Sequence, residues 1–189
     1  MTAVADLMTA PAARPVFTLR ARESADAKLP AKAGFDIRDA GHGMLEAGQV
    51  AGRWSVARRH VLMSLITKLP GTRFKSKLFK RLFGLTMGEN VGLAHGVMLD
   101  PYDPTMVTIG DDVLIGMDTK IFVHVFTLNR QRVRPVTIGN NVTIGGFCRI
   151  APGVTIGDGA SIAPGTFVTR DVPPGAMVMP PKMEVRKRD

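Results

Sequence analysis

The chain has 189 residues, of which 45% are hydrophobic and 22% charged, a balance typical of one globular domain. Its longest apolar runs, such as residues 61–66, fall far short of the roughly 20 residues that a membrane-spanning helix needs, which excludes an integral membrane protein. A single cysteine excludes an internal disulfide, and no N-terminal signal segment is evident, so we expect a cytoplasmic protein.

The first 45 residues mix Ala, Pro, Arg and Asp without a sustained period, and we predict a mostly flexible lead in which residues 29–35 rest on the protein body. The formal net charge of +9 is concentrated in the first part of the chain. Residues 1–83 hold 15 Lys and Arg against 6 Asp and Glu, whereas residues 84–189 hold 10 of each. Within residues 51–83 there are nine basic residues and no acidic one. Without aromatic interleaving or a known motif, this charge does not indicate nucleic-acid binding.

Residues 46–84 have the spacing of two amphipathic helices separated by Pro70 and Gly71. The apolar residues of the first at three-to-four spacing are Trp54, Ala57, Val61, Leu65 and Leu69. Those of the second are Phe74, Leu78, Phe79, Leu82 and Phe83, opposite Arg73, Lys75, Lys77, Lys80 and Arg81. Two interpretations remain open: the apolar faces pack on the protein body, or residues 51–83 lie on the inner face of the cytoplasmic membrane, against anionic lipid.

From residue 85 to about 176 an aliphatic residue returns every sixth position, with a compact residue four places after it. The aliphatic positions of the clearest stretch are Ile109, Ile115, Ile121, Ile138, Ile144, Ile150, Ile156, Ile162 and Val168. No helix keeps six-spaced residues on one face, whereas a strand followed by a tight corner does. The period therefore predicts an all-β, single-stranded parallel solenoid in which each unit buries its apolar residues against its neighbours.

Two stretches depart from the period. Residues 100–104 contain two prolines and two aspartates and predict a bulged corner, and residues 127–135 shift the register and predict a loop excursion. We expect a basic tail over residues 177–189. In the hexad that begins at Ile121, the inward positions are Ile121 and Val125, so His124 is predicted to project outward next to the excursion. Cys148 falls on an inward position and is predicted to be a small buried apolar residue.

The ordered motifs resemble those of the hexapeptide-repeat acyltransferases, and of an O-acetyltransferase-like branch of them. The resemblance lies in Ile-Phe-Val-His-Val-Phe-Thr at residues 121–127, a downstream arginine, and Pro-Val-Thr-Ile-Gly at 135–139. It continues upstream in residues 100–111 and downstream in residues 153–158 and 168–174. It implies a left-handed β-helix, a homotrimer, and transfer of an acyl group, most simply acetyl, from acyl-CoA to a saccharide or another small acceptor without a metal.

The resemblance also implies roles for individual residues. His124 would be the general base, for which an imidazole that titrates near neutral pH is suited. Asp100, Asp103, Arg132 and Arg134 would orient it or hold the acceptor. The residues implied in binding acetyl-CoA are Gly145, Gly146, Pro164, Thr169, Arg170, Arg186 and Lys187, of which Gly146 would donate its backbone N–H to the oxyanion.

Two rival functions use the same solenoid. A metal-dependent hydratase needs three histidines around a metal, and only His95 and His124 fall within the repeats. A catalytically silent trimeric scaffold would offer only a surface for partners. Stabilisation by CoA distinguishes the enzyme from the scaffold.

Overall fold

The body of the protein is a parallel β-helix with three short strands in each coil. The structure is a computed structural model that describes residues 16–20, 34–38, 52–70 and 72–181. Strands three hexads apart stack in register, so that Ile138 pairs with Ile156 and Ile144 with Ile162. The predicted period and the three-hexad coil are both confirmed.

The stacked strands form three faces. The first face contains β3 (Thr86–Met87), β6 (Val107–Ile109), β11 (Val136–Ile138) and β14 (Thr155–Ile156). The second contains β4 (Gly92–Leu93), β7 (Leu114–Ile115), β12 (Thr143–Ile144), β15 (Ser161–Ile162) and β17 (Met177–Val178). The third contains β5 (Met98–Leu99), β8 (Lys120–Ile121), β13 (Arg149–Ile150) and β16 (Phe167–Val168). The solenoid thus continues to β17, past its predicted end at residue 176.

The core is a column of aliphatic side chains inside these faces. All the six-spaced aliphatic residues predicted from the sequence are buried, and so is Cys148. Of the compact residues four places on, Val125 is the exception, because it is 42% exposed and Val123 is buried instead. The chain leaves the solenoid directly after β8, which moves the inward position by two residues.

The corners between faces require backbone conformations that few residues adopt. Asn90, Asp112, Asp118 and Asn141 have positive φ at these corners, where glycines also occur, because these residue types tolerate the left-handed region. Side chains also join successive coils: the Asp111 backbone N–H donates to the Asn140 amide oxygen. The repeated Ile-Gly-Asp or Ile-Gly-Asn units therefore determine where the chain turns.

Helices α1 (Arg53–Ile66) and α2 (Thr72–Phe83) cover the first coil, with α2 against β3 and β4 and α1 against β5. The α1 side chains in the core are Met63 and Ile66, whereas the predicted face of Trp54, Val61 and Leu65 is exposed. The packing interpretation is therefore wrong for that face. Since α1 carries apolar residues on two sides, its spacing alone could not decide which side contacts the solenoid.

Helix α2 agrees better with its predicted pattern. Phe79 and Phe83 are buried with ring centroids 5.3 Å apart, while Phe74 and Leu82 of the same predicted face are exposed. Lys75, predicted on the polar face, is buried. Gly84 follows the helix with φ of 65°, a conformation that ends helices and that glycine adopts without a steric penalty.

A fourth sheet forms beside the solenoid, where the sequence predicted a loop and a flexible lead. Its strands are, in spatial order, β1 (Val16–Arg20), β2 (Gly34–Arg38), β10 (Arg130–Val133) and β9 (His124–Phe126). Strands β9 and β10 are antiparallel, so the excursion at residues 127–135 is largely a hairpin, and β2 pairs with its outer strand. The prediction of a flexible lead is wrong for β1 and β2, although residues 34 and 35 of β2 fall in the stretch expected to rest on the body. Their five-residue alternation is too short to stand out locally, and pairing with a distant strand stabilises them.

Candidate active site

The centre of the site is Asp100, which follows β5 at the edge of the third face. Its side chain is fully buried, and its Oδ1 accepts a hydrogen bond from the Tyr102 N–H at 2.9 Å. Its Oδ2 accepts from the Val123 and His124 backbone N–H groups at 2.8 and 3.2 Å. A buried carboxylate needs such donors, because an unpaired buried charge is costly. The loop at residues 100–104 and the start of β9 are therefore held together through one side chain.

His124 is the first residue of β9, and its imidazole contacts the same carboxylate. The distance between His124 Nδ1 and Asp100 Oδ2 is 2.5 Å, and 21% of the imidazole side chain is exposed. An ionised carboxylate only accepts hydrogen bonds, so Nδ1 must carry the proton, and the lone pair of a neutral ring is then on Nε2. This arrangement can take a proton from a bound hydroxyl or amine.

Two aromatic rings flank the imidazole. The Tyr102 ring centroid is 4.4 Å from that of His124, the Phe126 centroid is 4.6 Å from it, and the two aromatic rings are 5.1 Å apart. Burial, and then the charge of Asp100, raise the pKa of Tyr102, so its hydroxyl remains a hydrogen-bond donor through the neutral range. Sequence reasoning missed this pair of rings. The available signal was the chain's one tyrosine standing between two aspartates and two prolines.

Asp103, the alternative to Asp100, does not contact the imidazole. Its carboxylate accepts from the Thr105 N–H at 3.1 Å and from the Thr105 hydroxyl at 2.6 Å, and so caps the 3-10 turn Pro104–Met106. The same loop is fixed from the helical side, where Arg59 Nη1 donates to the Tyr102 carbonyl at 2.8 Å. Asp100 is thus the aspartate at the imidazole, and Asp103 shapes the loop.

The two candidate arginines lie on and just after β10. The Arg132 guanidinium is 3.6 Å from the Asp36 carboxylate of β2, which ties the fourth sheet together. The Arg134 N–H donates to the Val123 carbonyl at 2.7 Å, and the Arg134 side chain lies against Gly153. Arg134 is therefore bonded to Val123, the residue that precedes His124, whereas the side chain of Arg132 is paired with Asp36.

Gly145, Gly146 and Pro164 come together at the corner between the second and third faces. A Cβ on Gly145 would be 2.5 Å from the Pro164 nitrogen, so only glycine fits below that proline. The Gly146 carbonyl accepts from the Gly165 N–H at 2.9 Å. Within the described part of the chain, the half-buried Gly146 N–H has no backbone acceptor, which leaves it available to a ligand.

One chain does not bring this corner to His124. Because Ile121 pairs with Ile150, the stretch around His124 lies beyond the far end of β13, whereas Gly146 precedes β13. Thr169 and Arg170, both exposed, follow β16 at the end of the face nearer His124. Arg186 and Lys187 lie outside the described residues. The candidate cofactor residues thus divide between two corners.

Among residues 16–20, 34–38, 52–70 and 72–181, no three His, Cys, Asp or Glu side chains form a group that could hold a metal ion. No helix in that same part of the chain is long and apolar enough to cross a bilayer.

Comparison with known proteins identifies the family. A sequence model for the bacterial transferase hexapeptide (six repeats) matches residues 135–170. YvoF of Bacillus subtilis (strain 168), which is named for acetyltransferase activity, is 33% identical over 123 residues, covering 65% of this chain and 72% of its own. Galactoside O-acetyltransferase of Escherichia coli (strain K12) is 44% identical over 82 residues, 40% of each chain.

Solved structures agree with these relatives. The hexapeptide-repeat acetyltransferase VCA0836 of Vibrio cholerae superimposes with a TM-score of 0.54 at 25% identity, covering 66% of this chain and 84% of that one. A galactoside acetyltransferase in complex with coenzyme A gives 0.50 at 28% identity, covering 79% and 86%. The parallel β-helix, the repeats and the relatives together establish that this chain belongs to the hexapeptide-repeat acetyltransferases and is an enzyme of that family.

Proposed function

We propose that the protein transfers an acetyl group from acetyl-CoA to a hydroxyl or amine of a saccharide, with His124 as the general base. The observation that carries this proposal is the contact of 2.5 Å between His124 Nδ1 and the buried carboxylate of Asp100. It leaves Nε2 as the atom that accepts a proton. The relative that acts on galactosides supports a sugar acceptor, and the coenzyme A in the related structure supports the donor. With this family we also infer a left-handed coil.

The acetyl group passes directly from CoA to the acceptor, without an acyl-enzyme. The acceptor oxygen or nitrogen forms a bond to the thioester carbonyl carbon while its proton moves to Nε2 of His124. The carbon–sulfur bond of the tetrahedral intermediate then breaks, and the imidazolium returns the proton to the departing thiolate, which leaves as CoA. A positioned general base contributes about 10²- to 10⁴-fold to such a step. Asp100 stabilises the imidazolium that forms in between.

The rings beside His124 suit a sugar acceptor. Tyr102 and Phe126 present flat apolar surfaces within 5 Å of the imidazole centroid, and the apolar face of a pyranose ring stacks on such surfaces. The Tyr102 hydroxyl, kept protonated by its raised pKa, adds a polar group that can bond a sugar hydroxyl. Arg134, adjacent to the strand that carries His124, is a second polar group on this side.

The position of Gly146 supports a site shared between copies of the chain, and with this family we infer a homotrimer. The oxyanion needs a fixed donor, and the available Gly146 N–H is at the corner away from His124 within one chain. A neighbouring copy would bring its own Gly146 corner next to His124. Acetyl-CoA would then lie in the groove between two copies, with Pro164 of one of them beside its pantetheine arm and Arg170 near its phosphates. Arginine suits phosphate because its planar fork donates two hydrogen bonds at once.

The test is release of free CoA thiol from acetyl-CoA in the presence of a panel of saccharides. We expect turnover with at least one saccharide and a loss of about 10²- to 10⁴-fold in His124→Ala. CoA should also raise the melting temperature of both proteins, because His124 does not hold CoA. Full turnover by His124→Ala would exclude the proposed base. Failure of CoA to stabilise the wild type, together with no turnover, would favour the silent scaffold.

A further inference from the structure

The helix pair has a surface for which the chain offers no partner among its described residues. On α1, Trp54 is 89% exposed, and Val61 and Leu65 are each more than half exposed. These three residues lie within one narrow sector of the helix, since they are seven and four positions apart. Met63 and Ile66, on the opposite side, are in the core. The exposed apolar side is therefore additional to the side that stabilises the fold.

Helix α2 also carries exposed apolar side chains. Phe74 is 60% exposed and Leu82 is 47% exposed, although Phe79 and Phe83 of the same helix are buried. Leu82 and Phe83 line a cleft of ≈ 370 Å³ together with Arg58, Arg59 and Leu62 of α1. The cleft has an apolar floor and two guanidinium groups, and it places the Leu82 side of α2 next to Arg58.

Cations surround these apolar side chains. Residues 51–83 carry nine basic residues and no acidic one, while residues 84–189 are electrically balanced. Exposed basic side chains of the two helices include Arg53, Arg58, Arg73, Lys77 and Arg81. Lys80 has a carboxylate partner, Glu89, at 3.8 Å, and that pair is largely exposed. Exposed tryptophan, phenylalanine and leucine bordered by basic residues are the composition of helices that lie in a lipid interface.

We propose that this face of α1 and α2, formed by Trp54, Val61, Leu65, Phe74 and Leu82 with their basic neighbours, lies on an anionic lipid bilayer. The apolar side chains enter the interface, and the cations contact the lipid phosphates. A second copy of the chain is a poorer occupant, because a symmetric contact would bring two sets of cations together, and neither α1 nor α2 contains an acidic residue. An anionic bilayer matches both the charge and the apolar area.

Docking in this way would hold the candidate active site close to the lipid. Arg59 of α1 donates to the carbonyl of Tyr102, whose ring contacts His124. The helix that lies on the bilayer is thus bonded to the loop that carries Asp100. The docking itself does not depend on the proposed acetyl transfer, and its test uses no turnover.

Trp54 is the chain's one tryptophan, so its fluorescence reports on this face alone. Wild-type protein is titrated with phosphatidylglycerol vesicles and with phosphatidylcholine vesicles at low salt, and binding is checked by co-sedimentation. We expect a blue shift of the emission and sedimentation with phosphatidylglycerol vesicles, both weakened by added salt, and neither with phosphatidylcholine vesicles.

Substitutions on the full chain separate charge from apolar contact. Each basic residue near an anionic surface strengthens binding about fivefold, so a triple variant, Arg73→Gln with Lys77→Gln and Arg81→Gln, should bind about 10²-fold more weakly. Leu65→Gln should weaken binding by about tenfold. Arg149→Gln and Leu128→Gln, exposed on the solenoid and at the hairpin turn, are the matched controls and should bind like the wild type.

Three results would overturn the proposal. The first is a wild-type protein whose emission does not change with phosphatidylglycerol vesicles. The second is emission that is already blue-shifted without vesicles, or that becomes so with rising protein concentration, because another part of the chain or a second copy would then cover Trp54. The third is a triple variant that binds as tightly as its Arg149→Gln control.

Discussion

Replacing Asp100 by asparagine tests the central contact of the site with the smallest change of shape. The carboxylate accepts four hydrogen bonds, three of them on Oδ2 and one on Oδ1. An asparagine oxygen can occupy only one of the two positions, so its NH₂ group must face at least one N–H donor. Hydrogen bonds to a charged acceptor contribute about 1.5–3 kcal/mol and neutral ones about 0.5–1.5 kcal/mol. Each of the three retained bonds changes from a charged to a neutral acceptor and loses about 1 kcal/mol, so we expect a total loss of about 3 kcal/mol in the free energy of unfolding.

The effect of Asp100→Asn on turnover should exceed its effect on folding. The asparagine oxygen is expected at the Oδ2 position, where it can accept from the Val123 and His124 backbone N–H groups and from Nδ1–H of the imidazole, so the NH₂ group faces the Tyr102 N–H. The imidazole then keeps its proton on Nδ1, but it loses the negative charge that stabilises the imidazolium during transfer. We expect kcat to fall by about 10²-fold, the lower end of the range for a general base, and KM for acetyl-CoA to change by less than about twofold. The assay is thiol release well below the melting temperature.

Asp103→Asn is the matched control, since it makes the same chemical change three residues further along the same loop. Among the described residues, the Asp103 side chain bonds only to Thr105, so this variant should lose about 1 kcal/mol of stability and keep kcat within about threefold. The reasoning would be refuted if folded Asp100→Asn retained the kcat of the wild type. It would also be refuted if the two variants lost turnover equally.

Four further substitutions test the packing. Gly145→Ala places a Cβ against the backbone of Pro164 and should lower the free energy of unfolding by about 3 kcal/mol, seen as a lower melting temperature. Gly165→Ala is its control, because a Cβ there meets no atom within 4 Å, and it should lower the free energy of unfolding by about 1 kcal/mol for its φ of 74°. Phe147 has a φ of 59°, a conformation that is strained for a residue with a side chain but not for glycine. Phe147→Gly should therefore raise the melting temperature by about 2–4 °C. A fall instead would mean that the exposed ring of Phe147 is buried between copies. Burial lowers the pKa of Lys75, so the folded state holds the charged lysine less readily than the unfolded state does. Lys75→Met should therefore raise the melting temperature at neutral pH. The gain should shrink as the pH rises towards 10.5, because the lysine then becomes neutral in both states.

The solenoid could be predicted because its structure is local. Each hexad contains its own strand and its own corner, so Ile144, Ile150 and Ile156 have the same environment one after another, and their spacing alone predicts their burial. The helices were only partly predictable. The three-to-four spacing of Trp54, Val61 and Leu65 is a true face of α1, but whether a face contacts protein or solvent depends on β5, which the spacing does not contain.

The candidate site joins a predictable residue to an unpredictable one. His124 could be selected because the six-residue register ends there and the ordered motifs around it resemble those of a known family. Asp100 and Asp103 are both acidic, both adjacent to proline and only three residues apart, so nothing in the sequence separates them. They differ in the structure because Asp100 directly follows β5, which stacks on β8, the strand that leads to His124. Stacking of two coils therefore decides which carboxylate meets the imidazole. It follows that inserting even a full coil between residues 100 and 121 should separate the pair, although every residue of the site were kept, because a new strand would then stack between β5 and β8.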